Sequence, residues 1–338
     1  LFDPEEFWTL SVQFNDTDKN SILASITQLN DKKIEKFSFK NKAEIDKAID
    51  VVKSKKFKIV VDGINSSGGI YVPHLLNKLG AEVICLNCEP NGFFAHNPEP
   101  VPVNLLQLCN EVVSHKADLG IAIDPDVDRL VLISEDGSFF GEEYTIVSIT
   151  RYILSKYPES SVVSNLSTTQ AVKDVANDFG ARHFESKVGE ANVVKLMKEK
   201  NAIIGGEGSG GVIFSPSHLG RDALVGIGLF LSLLSETDMT VKELRGSLPS
   251  YYMLKEKFLI LDDLSVKKTI KKIINLCNDN AYNYSTLDGV KFYFKSNTWA
   301  HIRPSNTEPL IRMIIESDTQ KNAKNLKDLV ITWIKEFL

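Results

Sequence analysis

Apolar positions fall in short blocks separated by polar, glycine-rich turns. The run Phe57 to Val61 predicts a strand that turns through Asp62-Gly63-Ile64-Asn65-Ser66-Ser67-Gly68-Gly69. Ile70 to Leu79 carries apolar residues at helical spacing and is stopped by Gly80. A strand from Ala81 to Leu86 and a helix from Leu105 to His115 follow. The run Leu119 to Ile123 then enters Asp124-Pro125-Asp126-Val127-Asp128-Arg129 and returns as a strand from Leu130 to Ser134. After a spacing of about a hundred residues the same order recurs. Its parts are a strand Ser161 to Ser164, a turn Asn165 to Thr169, a helix Gln170 to Phe179 stopping at Gly180, and a strand near Arg182 to Phe184. A helix Asn192 to Lys200 then feeds Ala202 to Ile204, the loop Gly205 to Gly211, and the strand Val212 to Phe214.

Alternating strands and helices predict an α/β sheet layered with helices, with ligands gathering outside the strand ends. The expected organisation is two related α/β domains, residues 56–138 and 139–251, whose special loops occupy equivalent positions. From about Tyr252 the pattern changes to an α+β unit, residues 252–338, with strands near Lys291 to Phe294, Ala300 to Arg303 and Leu310 to Ile315 and a closing helix Ala323 to Phe337. Residues 1–55 fit none of the repeat. The charged helix-like stretch Lys42 to Lys56 reads as a connector.

Length supports this division, because 338 residues exceed what one core organises. The net charge of −5 is spread among interspersed acids and bases, so neither a nucleic acid nor an anionic membrane is an expected partner. No apolar stretch approaches the roughly 20 residues that span a bilayer, and a soluble protein is expected. Four cysteines suit a reducing compartment, taken here as the cytoplasm. Cys85-Leu-Asn-Cys88 has redox spacing but ends an apolar strand with no second pair, which favours a structural role.

Three loops carry candidate chemistry. Asp124, Asp126 and Asp128 crowd hard carboxylate oxygens at a strand end, which is costly unless a divalent cation neutralises them. An EF-hand reading, with Glu135 as twelfth residue, fails because Arg129 stands where glycine is needed and Leu130 to Ile133 read as a strand. Few carboxylates beside an expected phosphate favour Mg²⁺. Glu207 and Ser209 lie among five glycines, where a ligand could approach the backbone while a carboxylate accepts sugar hydroxyls. Arg303-Pro304-Ser305-Asn306-Thr307-Glu308-Pro309, followed by Arg312, collects guanidinium, hydroxyl and amide donors suited to a phosphate.

Together these loops resemble the α-D-phosphohexomutase family over roughly residues 40 to 338. Asp124 to Arg129 is similar to the family's metal-binding loop, Gly206-Glu207-Gly208-Ser209-Gly210 to its sugar-binding loop, and Arg303 to Thr307 to its phosphate-binding loop. Val61 to Gly69 and Lys187-Val188-Gly189 are secondary matches. The resemblance implies a Mg²⁺-dependent mutase moving phosphate between the 1 and 6 positions of a hexose or hexosamine phosphate through its 1,6-bisphosphate and an enzyme phosphoserine. Arg129 would offset charge on the moving phosphoryl group, and Lys187 would bind sugar or phosphate. The phosphoserine belongs to a first domain, and no serine here stands in its Thr-Ala-Ser-His-Asn-Pro context. Residues 1–55 are then a remnant of, or connector from, that domain. Phe94-Ala95-His96-Asn97-Pro98 keeps only the end of that motif, so His96 is assigned a loop role. Gly211 stands where many relatives have a histidine, which leaves His218 as a substitute base. Oligomeric state and the sugar are not specified. Two rivals are a catalytically silent sugar-phosphate-binding protein on the same fold and a phosphatase that uses the aspartates directly.

Overall fold

The computed structural model describes residues 42–259, 263–294, 297–305 and 310–337. Most of the 1–55 segment, and Asn306 and Thr307 of the third loop, lie outside the described residues.

Helix α1 (Lys42–Lys55) leads into a first unit made of β1 (Lys58–Asp62), α2 (Gly68–Lys78), β2 (Glu82–Leu86), α3 (Leu106–Ser114), β3 (Leu119–Ile123) and β4 (Leu130–Ser134). Its sheet has the order β2-β1-β3-β4, parallel except for β4. Strands β3 and β4 are buried at every position, as a sheet covered on both faces requires.

Helix α4 (Glu142–Lys156) opens the second unit, which continues with β5 (Ser161–Asn165), α5 (Ala171–Asp178), β6 (Arg182–Ser186), α6 (Glu190–Lys200), β7 (Ala202–Glu207) and β8 (Gly211–Phe214). Its order, β6-β5-β7-β8, again ends in an antiparallel strand. The repeat seen in the sequence is therefore a repeat of topology, with the acidic and glycine-rich loops each joining the third strand to the fourth. One boundary differs from expectation: Gly205 to Glu207 belong to strand β7, which shortens the second loop to three residues, Gly208 to Gly210.

Helices α7 (Ala223–Thr237) and α8 (Val241–Gly246) complete the second unit. Neither α4 nor α7 was marked by the polar–apolar pattern. The reason is physical: α4 buries eleven residues and α7 packs against both α1 and α4, so no polar face remains to set a period. Through them the two α/β units share one hydrophobic core, in which Phe140 meets Phe230 edge to face at 5.4 Å.

The third unit is an antiparallel sheet, β10-β11-β12-β13-β9, built from β9 (Tyr252–Leu259), β10 (Asn283–Ser285), β11 (Val290–Phe294), β12 (Thr298–Pro304) and β13 (Leu310–Ser317). Helices α9 (Asp263–Asp279) and α10 (Gln320–Phe337) pack on one face over Phe292, Ile302 and Met313. The other face is polar and docks on the second unit. Lys291, 2% exposed, holds Glu185 at 2.8 Å, Ser167 Oγ meets His301 Nδ1 at 2.9 Å, and Lys255 reaches Glu143 at 2.9 Å. Fold class and the α+β character of the third unit match expectation.

Candidate active site

The acidic loop is built so that its carboxylates face one another. Val127 has φ 61°, a left-handed conformation that a β-branched residue adopts only at a cost of about 1–3 kcal/mol. That turn brings the N–H groups of Asp128 and Arg129 to Asp124 Oδ1, at 3.0 and 2.9 Å. Ser66 and Ser67, at the start of α2, donate their hydroxyls to the Pro125 carbonyl and support the loop from below. Ligand oxygens of Asp124, Asp126 and Asp128 all lie within 4.8 Å of one another, with Asp124 buried and Asp126 exposed. Burial, followed by the adjacent Asp128 and Asp126 carboxylates, raises the Asp124 carboxyl above the usual carboxylate range, and the Arg129 N–H offsets only part of this. Asp128 Oδ1 is buried without a hydrogen-bond partner. A divalent cation would satisfy that oxygen and relieve the crowding, so the residues present fit one. Glu135 is not among these ligands; it follows β4 and accepts the Lys242 N–H at 3.2 Å, which removes the EF-hand reading.

Arg129 Nε lies 3.2 Å from Asp124 Oδ2 and 3.7 Å from Asp128 Oδ1, with a third of its side chain exposed. It is anchored at one end and accessible to an incoming anion at the other.

The glycine-rich loop lies directly against the acidic loop. Arg129 bridges Gly211, the Leu130 N–H donates to Gly210 O at 3.0 Å, and the Ala223 N–H donates to Val127 O at 3.0 Å. Protein atoms already stand where side chains on these glycines would project. A Cβ on Gly208 would stand 1.8 Å from a Glu143 carboxylate oxygen, and one on Gly211 2.3 Å from Arg221 Cδ. Glu207 is buried and largely engaged. Its Oε1 accepts Asn165 Nδ2 at 2.7 Å and the Gly189 N–H at 2.8 Å, and its Oε2 accepts Arg221 Nη1 at 2.9 Å. One lone pair on Oε2 is left without a protein donor among these contacts. Ser209 is half-buried at the loop tip.

In the third loop, Arg303 and Arg312 stand opposite each other across β12 and β13, on the polar face of the sheet. Arg303 is buried, with Nε 3.1 Å from Asp288 Oδ2. Ser305 closes the hairpin by donating its N–H to Leu310 O at 2.8 Å.

The three loops are joined by hydrogen bonds. Arg303 and the Val188 N–H, at 3.0 Å, share Asp288 Oδ2; the next residue, Gly189, donates to Glu207; Glu207 accepts from Arg221; and Arg221 Nη2 holds Asp128 Oδ2. Asn165, Arg221 and Asp288 were not foreseen as site residues, and Gly189 entered only within the secondary match Lys187-Val188-Gly189. The contacts that cross between units, 93 residues for Arg221 with Asp128 and 100 for Asp288 with Val188, are marked by no local spacing.

Lys187 is exposed beside this relay and forms no ion pair among the described residues. His218 Nε2 lies 2.8 Å from Asp222 Oδ2. That hydrogen bond raises the imidazole pKa against the opposing effect of burial, so the pair with Asp222 favours the protonated ring. Asp222 itself caps α7 through the N–H groups of Leu224 and Val225. His96 Nε2 is taken by Asp62 at 3.0 Å, in keeping with a loop role. Cys88 packs against Val61 and Leu86 carbonyls, and burial, then Cys85, pushes its thiol up to about 12, as a structural residue requires.

Comparison with known proteins gives three family matches in tandem. Residues 38–137 match "Phosphoglucomutase/phosphomannomutase, alpha/beta/alpha domain II", residues 141–252 match domain III of that series, and residues 255–332 match its C-terminal domain. A phosphoglucomutase/phosphomannomutase of Thermococcus kodakarensis is 32% identical over 302 residues, covering 89% of this chain and 65% of that protein. A phosphoglucosamine mutase of Methanocaldococcus jannaschii is 31% identical over 295 residues, covering 84% and 64%. This chain thus spans somewhat less than two thirds of the length of either relative. A solved phosphoglucomutase/phosphomannomutase family protein of Burkholderia thailandensis superposes with a TM-score of 0.75 at 22% identity, over 86% of this chain and 64% of that one, and shares the fold.

Proposed function

Given that this chain belongs to the phosphoglucomutase/phosphomannomutase family, we propose that it forms the metal-, sugar- and phosphate-holding part of a phosphohexomutase. Its substrate is a hexose or hexosamine phosphate, interconverted between 1- and 6-phosphate through the 1,6-bisphosphate and an enzyme phosphoserine. The supporting observation is the hydrogen-bond relay that links Arg303, Asp288, Glu207, Arg221 and Asp128 across three loops.

Asp124, Asp126 and Asp128 are the ligands for Mg²⁺, which when bound supplies charge neutralisation for phosphoryl transfer. Arg129 stabilises the negative charge that develops on the moving group, at the edge of a buried, carboxylate-lined loop where such a contact is strong. Glu207 accepts a sugar hydroxyl through its remaining lone pair and Ser209 offers a second polar contact. Arg303, Ser305, Asn306, Thr307 and Arg312 anchor the phosphate that is not reacting. Lys187, exposed beside Val188 and without an ion pair among the described residues, binds sugar or phosphate. His218, oriented by Asp222 through Nε2, is the candidate base in place of the histidine that Gly211 lacks. A relative named phosphoglucosamine mutase supports including glucosamine phosphate in that substrate class. A cytoplasmic location accords with the sparing use of cysteine, four residues in the chain.

Calorimetry with glucose 1,6-bisphosphate and Mg²⁺, run beside a mutase assay on glucose and glucosamine phosphates, tests this reading. Binding with turnover supports the mutase, binding without turnover favours the catalytically silent sugar-phosphate-binding protein, and absence of binding contradicts both.

A further inference from the structure

Arg221 sits between β8 and α7, and its side chain, 16% exposed, meets carboxylates from three different elements. Nη2 pairs with Asp128 of the acidic loop, Nη1 lies 2.9 Å from Glu207 at the end of β7, and Nε lies 3.5 Å from Glu190 at the start of α6. Its backbone N–H also donates to Glu190, at 2.9 Å. The path of the side chain is reserved by the absence of another: an ideal Cβ on Gly211 would fall 2.3 Å from Arg221 Cδ. A planar guanidinium can serve two carboxylates at once in fixed directions, whereas an ammonium acts as a single point charge. Arg221 occupies Asp128 Oδ2 and leaves Oδ1, buried and without a hydrogen bond, turned over to other partners.

We propose that Arg221 is a positioning residue that couples the sugar loop to the metal loop, so that a change at Glu207 is felt as a change in cation affinity at Asp128. This rests on the reading of Asp128 as a metal ligand and Glu207 as a sugar contact. When a sugar hydroxyl draws on Glu207, the share of the guanidinium charge left to Asp128 changes, and with it the competition for the carboxylate. Such coupling is reciprocal, so metal at the acidic loop also sets the readiness of Glu207.

The test uses Mn²⁺ as a spin probe, titrated into the full chain and followed by electron paramagnetic resonance. Glu207→Gln removes no metal ligand, yet it is expected to weaken Mn²⁺ binding roughly five- to tenfold by releasing Arg221 onto Asp128. Made in an Arg221→Gln background, the same change is expected to shift Mn²⁺ affinity less than about twofold. Arg221→Lys should behave like Arg221→Gln, because one ammonium does not span both carboxylates. Gly211→Ala, which touches neither carboxylate but displaces the arginine, should also abolish the coupling, and it carries the comparison if Arg221→Gln does not fold. An equal Glu207→Gln effect in both backgrounds, or none in the unaltered one, would overturn the proposal while leaving the metal site standing. Absence of Mn²⁺ binding by the unaltered chain would remove the metal reading and this coupling together.

Discussion

Asp126 is the exposed member of the acidic triplet, whereas Asp124 is buried and bound to backbone N–H groups. Asp126→Asn should therefore leave the melting temperature nearly unchanged and lower Mn²⁺ or Mg²⁺ affinity at least about tenfold, measured by calorimetry. Gly208 responds in the opposite way. A methyl group there enters the Glu143 carboxylate, so Gly208→Ala should destabilise the fold by about 1–3 kcal/mol in urea unfolding, whatever ligand is present. These two positions mark what the sequence could and could not disclose. Alternating aspartates on a strand end carry their chemistry in their spacing. A glycine carries none, and whether its missing side chain admits a ligand or a neighbouring protein atom is decided by residues elsewhere in the chain, here Glu143 and Arg221.

Strand β13 meets the start of α5 through Glu316, which is fully buried. Its Oε1 accepts the Gln170 N–H at 2.9 Å and Trp299 Nε1 at 2.8 Å. Burial raises its pKa from 4.5 to about 7; the nearby Glu143 carboxyl adds to the rise, while the Thr169, Gln170 and Trp299 hydrogen bonds oppose it. A carboxyl whose pKa is raised in the folded state binds its proton more tightly there than in the unfolded chain. Its contribution is thus fully present below pH 4.5 and is lost as pH climbs to about 7. The loss is on the order of 3 kcal/mol for a shift of this size. Glu316→Gln should remove that decline, so urea-unfolding curves of variant and parent should diverge across this range, with the variant more stable at pH 8. Equal slopes in both proteins would refute the assignment. At this scale, strands β3, β4, β11 and β12 were legible because apolar runs bounded by turns need no partner to be recognised. Helices α4 and α7 were not, since burial on all sides erases the period, and the docking of β13 on α5 depends on contacts across 146 residues.

Among the described residues, three loops at the ends of strands from three units are joined through one relay. Two sheets of the same topology meet where β4 and β8 approach, which brings the acidic and glycine-rich loops together, and the polar face of the third sheet brings the arginine hairpin to Val188 and Gly189. The order of the loops was visible in the sequence; the side chains that link them, Asp288 and Arg221, were not, because they act on Val188 and Asp128, 100 and 93 residues away. Cutting the relay beside Arg303 should separate the third unit functionally from the other two. Asp288→Asn keeps the Arg303 contact geometry while weakening its charge, and is expected to reduce bisphosphate affinity about five- to tenfold with little change in Mn²⁺ affinity, a difference that paired titrations would resolve. The most direct measurement is a crystal structure of the chain with glucose 1,6-bisphosphate and Mg²⁺. One phosphate should lie within hydrogen-bond distance of Arg312 and Ser305, a sugar hydroxyl on Glu207, and the cation on Asp124, Asp126 and Asp128. A ligand that occupies one loop while the other two face separate solvent would contradict the account.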